Sequence, residues 1–147
     1  MAIKIIMFDE LKKYKQAGHF IFKPGDILSA VCNAPNNCSG IYCIYALSEA
    51  GVTLIYIGIS GRKGPDGNII HRNGGIRGRF LSGKQFGDRR SKTWPTKMKE
   101  ENIDALDIYW WITYNGEIRD FPRDIEDRLL KRYFAIYGRL PQWNNKF

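Results

Sequence analysis

Two apolar runs separated by a short polar turn mark the first half of the chain. The first run covers residues 41–47, the turn SEAG occupies residues 48–51, and the second run covers residues 52–57 before Gly58. Both runs are rich in β-branched and aromatic residues, which is typical of strands. Two such runs joined by a turn that contains glycine predict an antiparallel β-hairpin.

The second half of the chain has a strong strand pattern and a strong helix pattern. Residues 106–114, LDIYWWITY, are apolar throughout and predict a central strand that is covered on both faces. A helix is predicted from about Phe121 to Tyr137, with Asp120 as its N-cap and Gly138 as its C-cap. The stripe predicted to be buried consists of Ile125, Leu129, Leu130, Tyr133, Phe134 and Tyr137. Weaker patterns predict short helices over residues 75–84 and 96–102.

Residues 1–38 are interpreted as an N-terminal, mainly helical extension. The spacing of Phe8, Leu11 and Tyr14 predicts a helix over residues 7–16, and residues 19–22 are compatible with a short strand. The rest of the chain, residues 39–147, is predicted to be an α/β unit with a small, mostly antiparallel three-stranded sheet flanked by helices. A chain of 147 residues suits one compact domain overall.

The positive charge of the chain is concentrated in one segment. The net charge is +8, and residues 61–99 hold eleven basic and two acidic residues, a local net charge of +9. This pattern favours a polyanion, and nucleic acid over a membrane surface, because no amphipathic stripe accompanies the charge. The alternative is a solvated basic face, which the arginine content and the interleaved aromatic residues disfavour. The residues expected to contact DNA are Arg62, Lys63, Arg72, Arg77, Lys84, Arg89, Arg90 and Lys92.

Cysteine content and hydropathy argue against other classes of protein. Three cysteines are an odd number, which argues against a disulfide framework. Cys32 and Cys38 could join His71 as zinc ligands, but their spacing is not that of a zinc knuckle, and reduced, buried thiols are the simpler interpretation. No apolar run has the length of a bilayer span or the form of a signal peptide, so a soluble intracellular protein is expected.

The hairpin carries two tripeptides that resemble the defining motif of the GIY-YIG nuclease family. Gly40-Ile41-Tyr42 lies on the first strand and Tyr56-Ile57-Gly58 on the second, with thirteen residues between the tyrosines. Across an antiparallel pair the two phenols can approach one another. Taken alone, two tyrosines on a hairpin favour ordinary core packing, so the later residues of the family pattern are needed to decide.

Those later residues occur in the order that the family pattern requires. They are Ile76, Arg79 and Phe80 on one helix, Glu126, Leu129 and Leu130 on a later helix, and Pro141, Trp143 and Asn144 after it. Two features depart from the pattern. The interval between Tyr56 and Arg79 is longer than usual, which leaves Arg77 as a rival for the arginine role. Gly83 stands where the family often has a histidine, and His71 in the inserted loop is either its substitute or an ordinary exposed side chain.

The resemblance implies a Mg²⁺- or Mn²⁺-dependent endonuclease that hydrolyses phosphodiester bonds of double-stranded DNA. Insertions of this kind resemble those of the restriction-endonuclease branch, which implies a prokaryotic or phage-encoded cytoplasmic enzyme, as a monomer or a homodimer. A structure-specific repair or mobile-element nuclease is one alternative, and a non-catalytic nucleic-acid-binding module is another. The catalytic residues implied are Tyr42, Tyr56, Arg79, Glu126, His71 and Asn144, with Glu126 as the metal ligand.

The chemistry of these residue types fits the implied roles. Glu126 can hold one Mg²⁺ that keeps most of its waters, and Arg79 offers a forked cation to the scissile phosphate. Tyr42 is the expected general base; a free phenol has a pKa near 10, so a neighbouring cation must stabilise the ionised form. Tyr56 would bond a water or a phosphate oxygen, and Asn144 would anchor Glu126 or the metal's hydration shell.

Overall fold

The computed structural model describes residues 8–145 of the chain. In chain order its elements are a 3₁₀ helix (Asp9–Lys13), β1 (Ala17–Phe22), α1 (Leu28–Val31), β2 (Ser39–Ser48), β3 (Gly51–Ser60), β4 (Arg62–Lys63), β5 (Ile69–Ile70), α2 (Gly75–Ser82), β6 (Lys84–Gln85), β7 (Asp88–Arg89), α3 (Arg90–Glu100), β8 (Ala105–Tyr114) and α4 (Pro122–Tyr137).

The main sheet has four strands, not the three that the sequence predicts. Their order is β1-β8-β2-β3, and every neighbouring pair is antiparallel. The additional strand, β1, comes from the N-terminal extension and pairs with the apolar strand β8 along its whole length. Because β8 is apolar on both faces, its second edge also needs a partner, and β1 supplies the missing hydrogen bonds. The N-terminal extension is therefore part of the sheet.

The two faces of the sheet have different cores, because side chains alternate along each strand. Tyr42 and Ile44 of β2 face α2 and α3, and the cluster on this side also contains Phe80, Trp94 and Met98. The alternate residues of β2 face the opposite side of the sheet, towards α4 and the 3₁₀ helix. That second cluster includes Ile41, Cys43, Tyr45, Ile57, Ile125, Leu129, Leu130 and Tyr133.

Helix α4 begins and ends close to the predicted residues, but its buried stripe is shorter. Gly138 ends the helix in a left-handed conformation with φ of 71°, as a C-cap glycine should. Phe121, not Asp120, is the N-cap residue, and it makes no side-chain capping hydrogen bond. Phe134 and Tyr137 were predicted to be buried, yet they are 45% and 47% exposed. The buried residues of α4 end at Tyr133, so the last turn extends past the part of the helix that packs on the sheet.

Two other helices also differ from their predictions. Helix α3 starts six residues before the predicted position, at Arg90, and contains Pro95. The predicted N-terminal helix is a shorter 3₁₀ helix, although Phe8, Leu11 and Tyr14 are all buried as its spacing indicates. Its predicted first residue, Met7, lies outside the described residues. Within residues 8–145, no helix is long and apolar enough to cross a membrane.

The cysteines are free and buried. Cys32, Cys38 and Cys43 form no disulfide, and burial raises the pKa of each thiol. In the described part of the chain, no three His, Cys, Asp or Glu side chains come together in a group able to hold a metal ion.

Candidate active site

Tyr42 and Tyr56 meet on the face of the sheet that α2 covers. In the ladder Tyr42 pairs with Gly58 and Tyr56 pairs with Ile44, so the two phenols are diagonal neighbours and not directly opposed. Their ring centroids are 5.9 Å apart, with 39° between the planes. Tyr42 is completely buried, and Tyr56 is partly buried. Burial and the neighbouring Tyr42 raise the pKa of Tyr56, so this phenol stays protonated and can donate a hydrogen bond.

Gly58 makes this close approach possible. A Cβ atom at this position would lie 2.5 Å from Cζ and Oη of Tyr42 and 2.6 Å from Cε2 of Tyr56. Gly40 has a comparable constraint, because its Cβ would collide with the backbone oxygen of Trp111 on β8. The glycines beside the tyrosines therefore have packing reasons that do not depend on any family resemblance.

Arg79, and not Arg77, is the arginine of α2 that reaches the tyrosines. The negative charge that Tyr42 can carry raises the pKa of Arg79 against the opposing effect of burial, and Tyr56 contributes in the same direction. Arg77 points away from this site. Its guanidinium donates to the backbone oxygens of Cys32 at 2.5 Å and Ser29 at 2.8 Å. These bonds fasten α2 to the segment before β2, a structural role in place of the predicted DNA contact.

Glu126 approaches the same group of side chains from α4. Burial raises the pKa of Glu126, and the positive charges of Arg123 and then Arg79 act against that rise. The negative charge of Glu126 in turn contributes to the raised pKa of Tyr56 on β3. Among the described residues, the carboxylate has no hydrogen-bonded or ion-paired partner within 4.0 Å. A partly buried carboxylate that makes no ion pair is unfavourable, so this position suits a positively charged ligand.

A cleft of about 330 Å³ opens beside Arg79. The inserted loop forms much of its wall. The lining residues are Ile59, Ser60, Gly61, Arg62, Ile70, His71, Arg72 and Arg79, with no acidic side chain among the described residues that line it. His71 is exposed at this cleft, and its Nδ1 lies 2.6 Å from Oγ of the buried Ser39. His71 is therefore positioned by the fold, unlike a freely moving loop histidine.

Several polar atoms around this cleft have no partner. Nε of Arg72 and of Arg79 and the hydroxyl of Ser60 are buried without a hydrogen bond. Burial and repulsion from Arg79 and Arg90 lower the pKa of Arg72, which indicates that these guanidinium groups lie near one another. Clustered cations with unused donors and no carboxylate favour an anionic ligand, and guanidinium groups suit phosphate oxygens.

Asn144 has a different role from the predicted one. Its Oδ1 accepts a hydrogen bond from the backbone N–H of Ile57 at 2.9 Å, and its Nδ2 donates to the backbone oxygen of Ile57 at 2.9 Å. The neighbouring Trp143 donates its backbone N–H to the oxygen of Ile55. The segment after α4 thus extends along the outer edge of β3, and Asn144 holds that strand in place. Among the described residues, the Asn144 side chain makes no hydrogen bond to Glu126.

The residues predicted to contact DNA divide into three groups by their exposure. Five are exposed and available to a large ligand, and they are Arg62, Lys63, Lys84, Arg89 and Lys92. Arg72 and Arg77 are partly buried in the positions described above. Arg90 is 0% exposed, so the prediction that it contacts DNA is wrong.

The sequence does contain a signal for the burial of Arg90. Arg90, Trp94 and Met98 are four residues apart, which places them on one face of α3, and all three are buried. The high positive charge of the segment predicts that all its basic residues are exposed. The helical spacing from Trp94 and Met98 instead places Arg90 on the apolar face of the helix.

Comparison of the chain with protein-family models, with curated proteins and with solved structures gave no match.

Proposed function

We propose that this protein is a Mg²⁺-dependent DNA endonuclease of the GIY-YIG type, acting on double-stranded DNA as restriction enzymes do. The observation that carries the proposal is the convergence of Tyr42, Tyr56, Arg79 and Glu126, from four separate elements, near a cationic cleft that Arg79 lines. Arg79 and Glu126 reach the tyrosines of the hairpin from distant parts of the sequence, and Nε of Arg72 and of Arg79 are buried donors without a partner. Ordinary core packing explains the two tyrosines but not these unused donors on partly buried cations.

The residues of this site can share the work of hydrolysis. Tyr42, as the phenolate, takes a proton from water, and the water oxygen attacks phosphorus while the bond to the leaving 3′ oxygen breaks. Arg79 neutralises the phosphoryl oxygens, and Tyr56 donates a hydrogen bond to one of them. Glu126 would hold Mg²⁺, which fits a single, partly buried carboxylate because this ion keeps several waters. When bound, the ion would supply charge for the leaving oxygen, which finally takes a proton from solvent.

DNA would bind along the exposed basic side chains of the protein. Arg62, Lys63, Lys84, Arg89 and Lys92 are free enough to contact about five phosphates, which predicts a slope near −4 to −5 for log K against log salt concentration. A titration of fluorescent duplex DNA at several salt concentrations measures this slope. A slope near zero would mean that these residues form a solvated basic face only.

The complete burial of Tyr42 favours a second candidate, a nucleic-acid-binding module that does not cut. Tyr42 has no exposed surface, so its hydroxyl can meet water only if Arg79 moves towards a bound phosphate. If Arg79 does not move, the site binds DNA without hydrolysis. Both candidates predict salt-dependent binding, so cleavage must decide between them.

The deciding experiment compares Glu126→Gln with Asp127→Asn on plasmid DNA. Both substitutions remove one negative charge from α4, but Asp127 is exposed and paired with Lys131 at 3.0 Å. For the nuclease, Glu126→Gln should reduce cleavage by about a hundredfold or more while DNA affinity is kept or increased. Asp127→Asn should cleave like the wild type.

Metal dependence and the wild-type reaction complete the test. The wild type should cleave plasmid with Mg²⁺ and stop when EDTA is added. Wild-type cleavage that continues in EDTA, or a Glu126→Gln variant that cuts at the wild-type rate, would contradict the proposal. Either result would mean that Glu126 and a bound metal ion take no part in catalysis. A pure wild-type preparation that binds DNA and never cuts it would support the binding module.

A further inference from the structure

Arg90 is a buried cation for which the proposed reaction has no direct use. Its side chain is completely enclosed in the cluster beneath α2 and α3, where it cannot touch DNA. Within the described residues, no carboxylate pairs with it. An isolated charge in a protein interior is strongly unfavourable, so something else must compensate it.

The contacts of Arg90 lead to two parts of the candidate site. Nη2 donates to Oη of Tyr42 at 3.0 Å, and Nη1 donates to the backbone oxygen of Arg79 at 2.7 Å. The guanidinium also lies 6.0 Å from the ring centroid of Tyr42 and 5.9 Å from that of Trp94. Nε is buried without a partner. Arg90 therefore connects the phenol of β2 to the end of α2 that carries Arg79.

The direction of the hydrogen bond matters for the chemistry of Tyr42. A guanidinium has donors only, so the phenol oxygen must be the acceptor in the bond with Arg90. The phenol proton consequently points away from Arg90, and an ionised oxygen would be the counter-charge that the buried cation lacks. The other groups around Tyr42 are Arg79 from α2, Arg72 from the inserted loop and Tyr56 from β3. Two of these three are cations, which favour the same ionised state.

We propose that Arg90 is a positioning residue that stabilises the phenolate of Tyr42 and fixes the backbone of Arg79 beside it. Its catalytic meaning rests on the proposed nuclease function. The chemical statement about Tyr42 does not, because it concerns the free protein. A guanidinium in this position would supply, inside the core, the neighbouring cation that a tyrosine needs in order to act as a general base.

A purely mechanical role is the competing explanation. Arg90 also donates to the backbone oxygen of Arg79 near the end of α2, which accepts the backbone N–H of Gly83 as well, at 3.2 Å. In that case the charge would be incidental, and any residue that held α2 in place would serve equally well. The ionisation of Tyr42 separates the two explanations, because a mechanical support would not alter it.

The experiment is a pH titration of protein that contains tyrosine labelled with ¹³C at Cζ, observed by NMR without DNA or metal. Tyr42→Phe and Tyr45→Phe assign the two buried tyrosines of β2. In the wild type, Tyr42 should lose its proton at a lower pH than Tyr45, although both are buried. A Tyr42 that titrates together with Tyr45 or after it would overturn the proposal, without the need for any Arg90 variant.

Substitutions at Arg90 then test the cause. Arg90→Met should move the Tyr42 titration to higher pH by about one to three units, whereas Arg90→Lys, which keeps the charge, should move it much less. Arg89→Met is the matched control, since it removes an exposed charge at the adjacent position and should leave the titration unchanged. A folded Arg90→Met variant with an unaltered Tyr42 titration would overturn the proposal.

The proposal and the nuclease function can fail separately. If the Tyr42 titration depends on Arg90 but the protein never cleaves DNA, the nuclease function is wrong and the electrostatic role of Arg90 stands. If DNA is cleaved but the Tyr42 titration does not change when Arg90 is substituted, the nuclease function stands and another group must activate the general base.

Discussion

Tyr42 and Tyr45 lie three residues apart on β2, are 0% and 2% exposed, and face opposite sides of the sheet. On the side of α2 and α3, the hydroxyl of Tyr42 accepts a hydrogen bond from Arg90 and lies near Arg79. On the side of α4, burial raises the pKa of Tyr45, and the negative charges that Cys43, Tyr109 and Asp107 can carry raise it further. Residue type and burial are the same, so the two phenols differ in the charge of their neighbours.

The same contrast appears at the edge of the α4 side, where Tyr14 meets a carboxylate. Its hydroxyl donates to Oδ2 of Asp120 at 2.7 Å. Burial and this bond raise the pKa of Tyr14, and the bond lowers the pKa of Asp120. A phenol beside an anion is kept protonated and serves as a structural donor. The two faces of one sheet thus hold tyrosines in opposite electrostatic surroundings.

The largest expected effect comes from the two arginines of α2. Arg79→Ala should reduce DNA cleavage by about 10³-fold, because it removes the cation beside Tyr42 and the phosphate site. Arg77→Ala should leave the cleavage chemistry intact and lower the melting temperature, because it frees the backbone oxygens of Cys32 and Ser29. Plasmid cleavage and thermal unfolding of both variants measure this. The reverse result would place the wrong arginine in the site.

A second test removes the hydroxyl group from each of the two buried tyrosines on β2. Tyr42→Phe should lower cleavage by about a hundredfold, and it should also cost about 1 to 3 kcal/mol of unfolding free energy because Arg90 loses its acceptor. Tyr45→Phe should change both quantities little. Equal behaviour of the two variants would show that their different neighbours have no chemical consequence.

Substitution of Gly58 tests how tightly the sheet face that carries Tyr42 and Tyr56 is packed. Gly58→Ala should destabilise the protein by about 1 to 3 kcal/mol, because the new methyl group would overlap both tyrosine rings. Gly116→Ala is the control, since nothing lies within 4 Å of its Cβ position. Urea unfolding of both variants gives the comparison. A stable Gly58→Ala protein would mean that the rings can separate at little cost.

The smallest effect is expected at Tyr14 and Asp120, and it depends on pH. The folded pKa of Asp120 is depressed, so its bond to Tyr14 stabilises the protein above the ordinary carboxyl pKa and is lost as the pH falls through the folded value. Asp120 is 37% exposed in its side chain, so solvent limits the contribution to less than about 1 kcal/mol. Tyr14→Phe should lower the unfolding free energy at pH 7 and match the wild type at strongly acidic pH. The exposed Tyr137→Phe is the control.

Much of the candidate site could be predicted because its parts are local patterns. The hairpin, the strand β8, and the helices that carry Arg79 and Glu126 follow from apolar spacing and from turn and cap residues. Arg79 could be preferred over Arg77 because Ile76 and Phe80 mark the packed face of α2, and both are fully buried. What failed was the prediction of which cations face solvent and how much of α4 is covered.

The sequence by itself determined where the hairpin, β8, α2 and α4 form and which of their residues share a face, because these depend on neighbours two to four positions apart. The tertiary structure alone decided that β1 joins the sheet, that Arg90 lies under Tyr42 and that Asn144 binds the backbone of Ile57. Each of these contacts joins residues 48 or more positions apart in the sequence. Whether a cation is solvated or buried depends on the segments that cover it, and local spacing does not specify those segments.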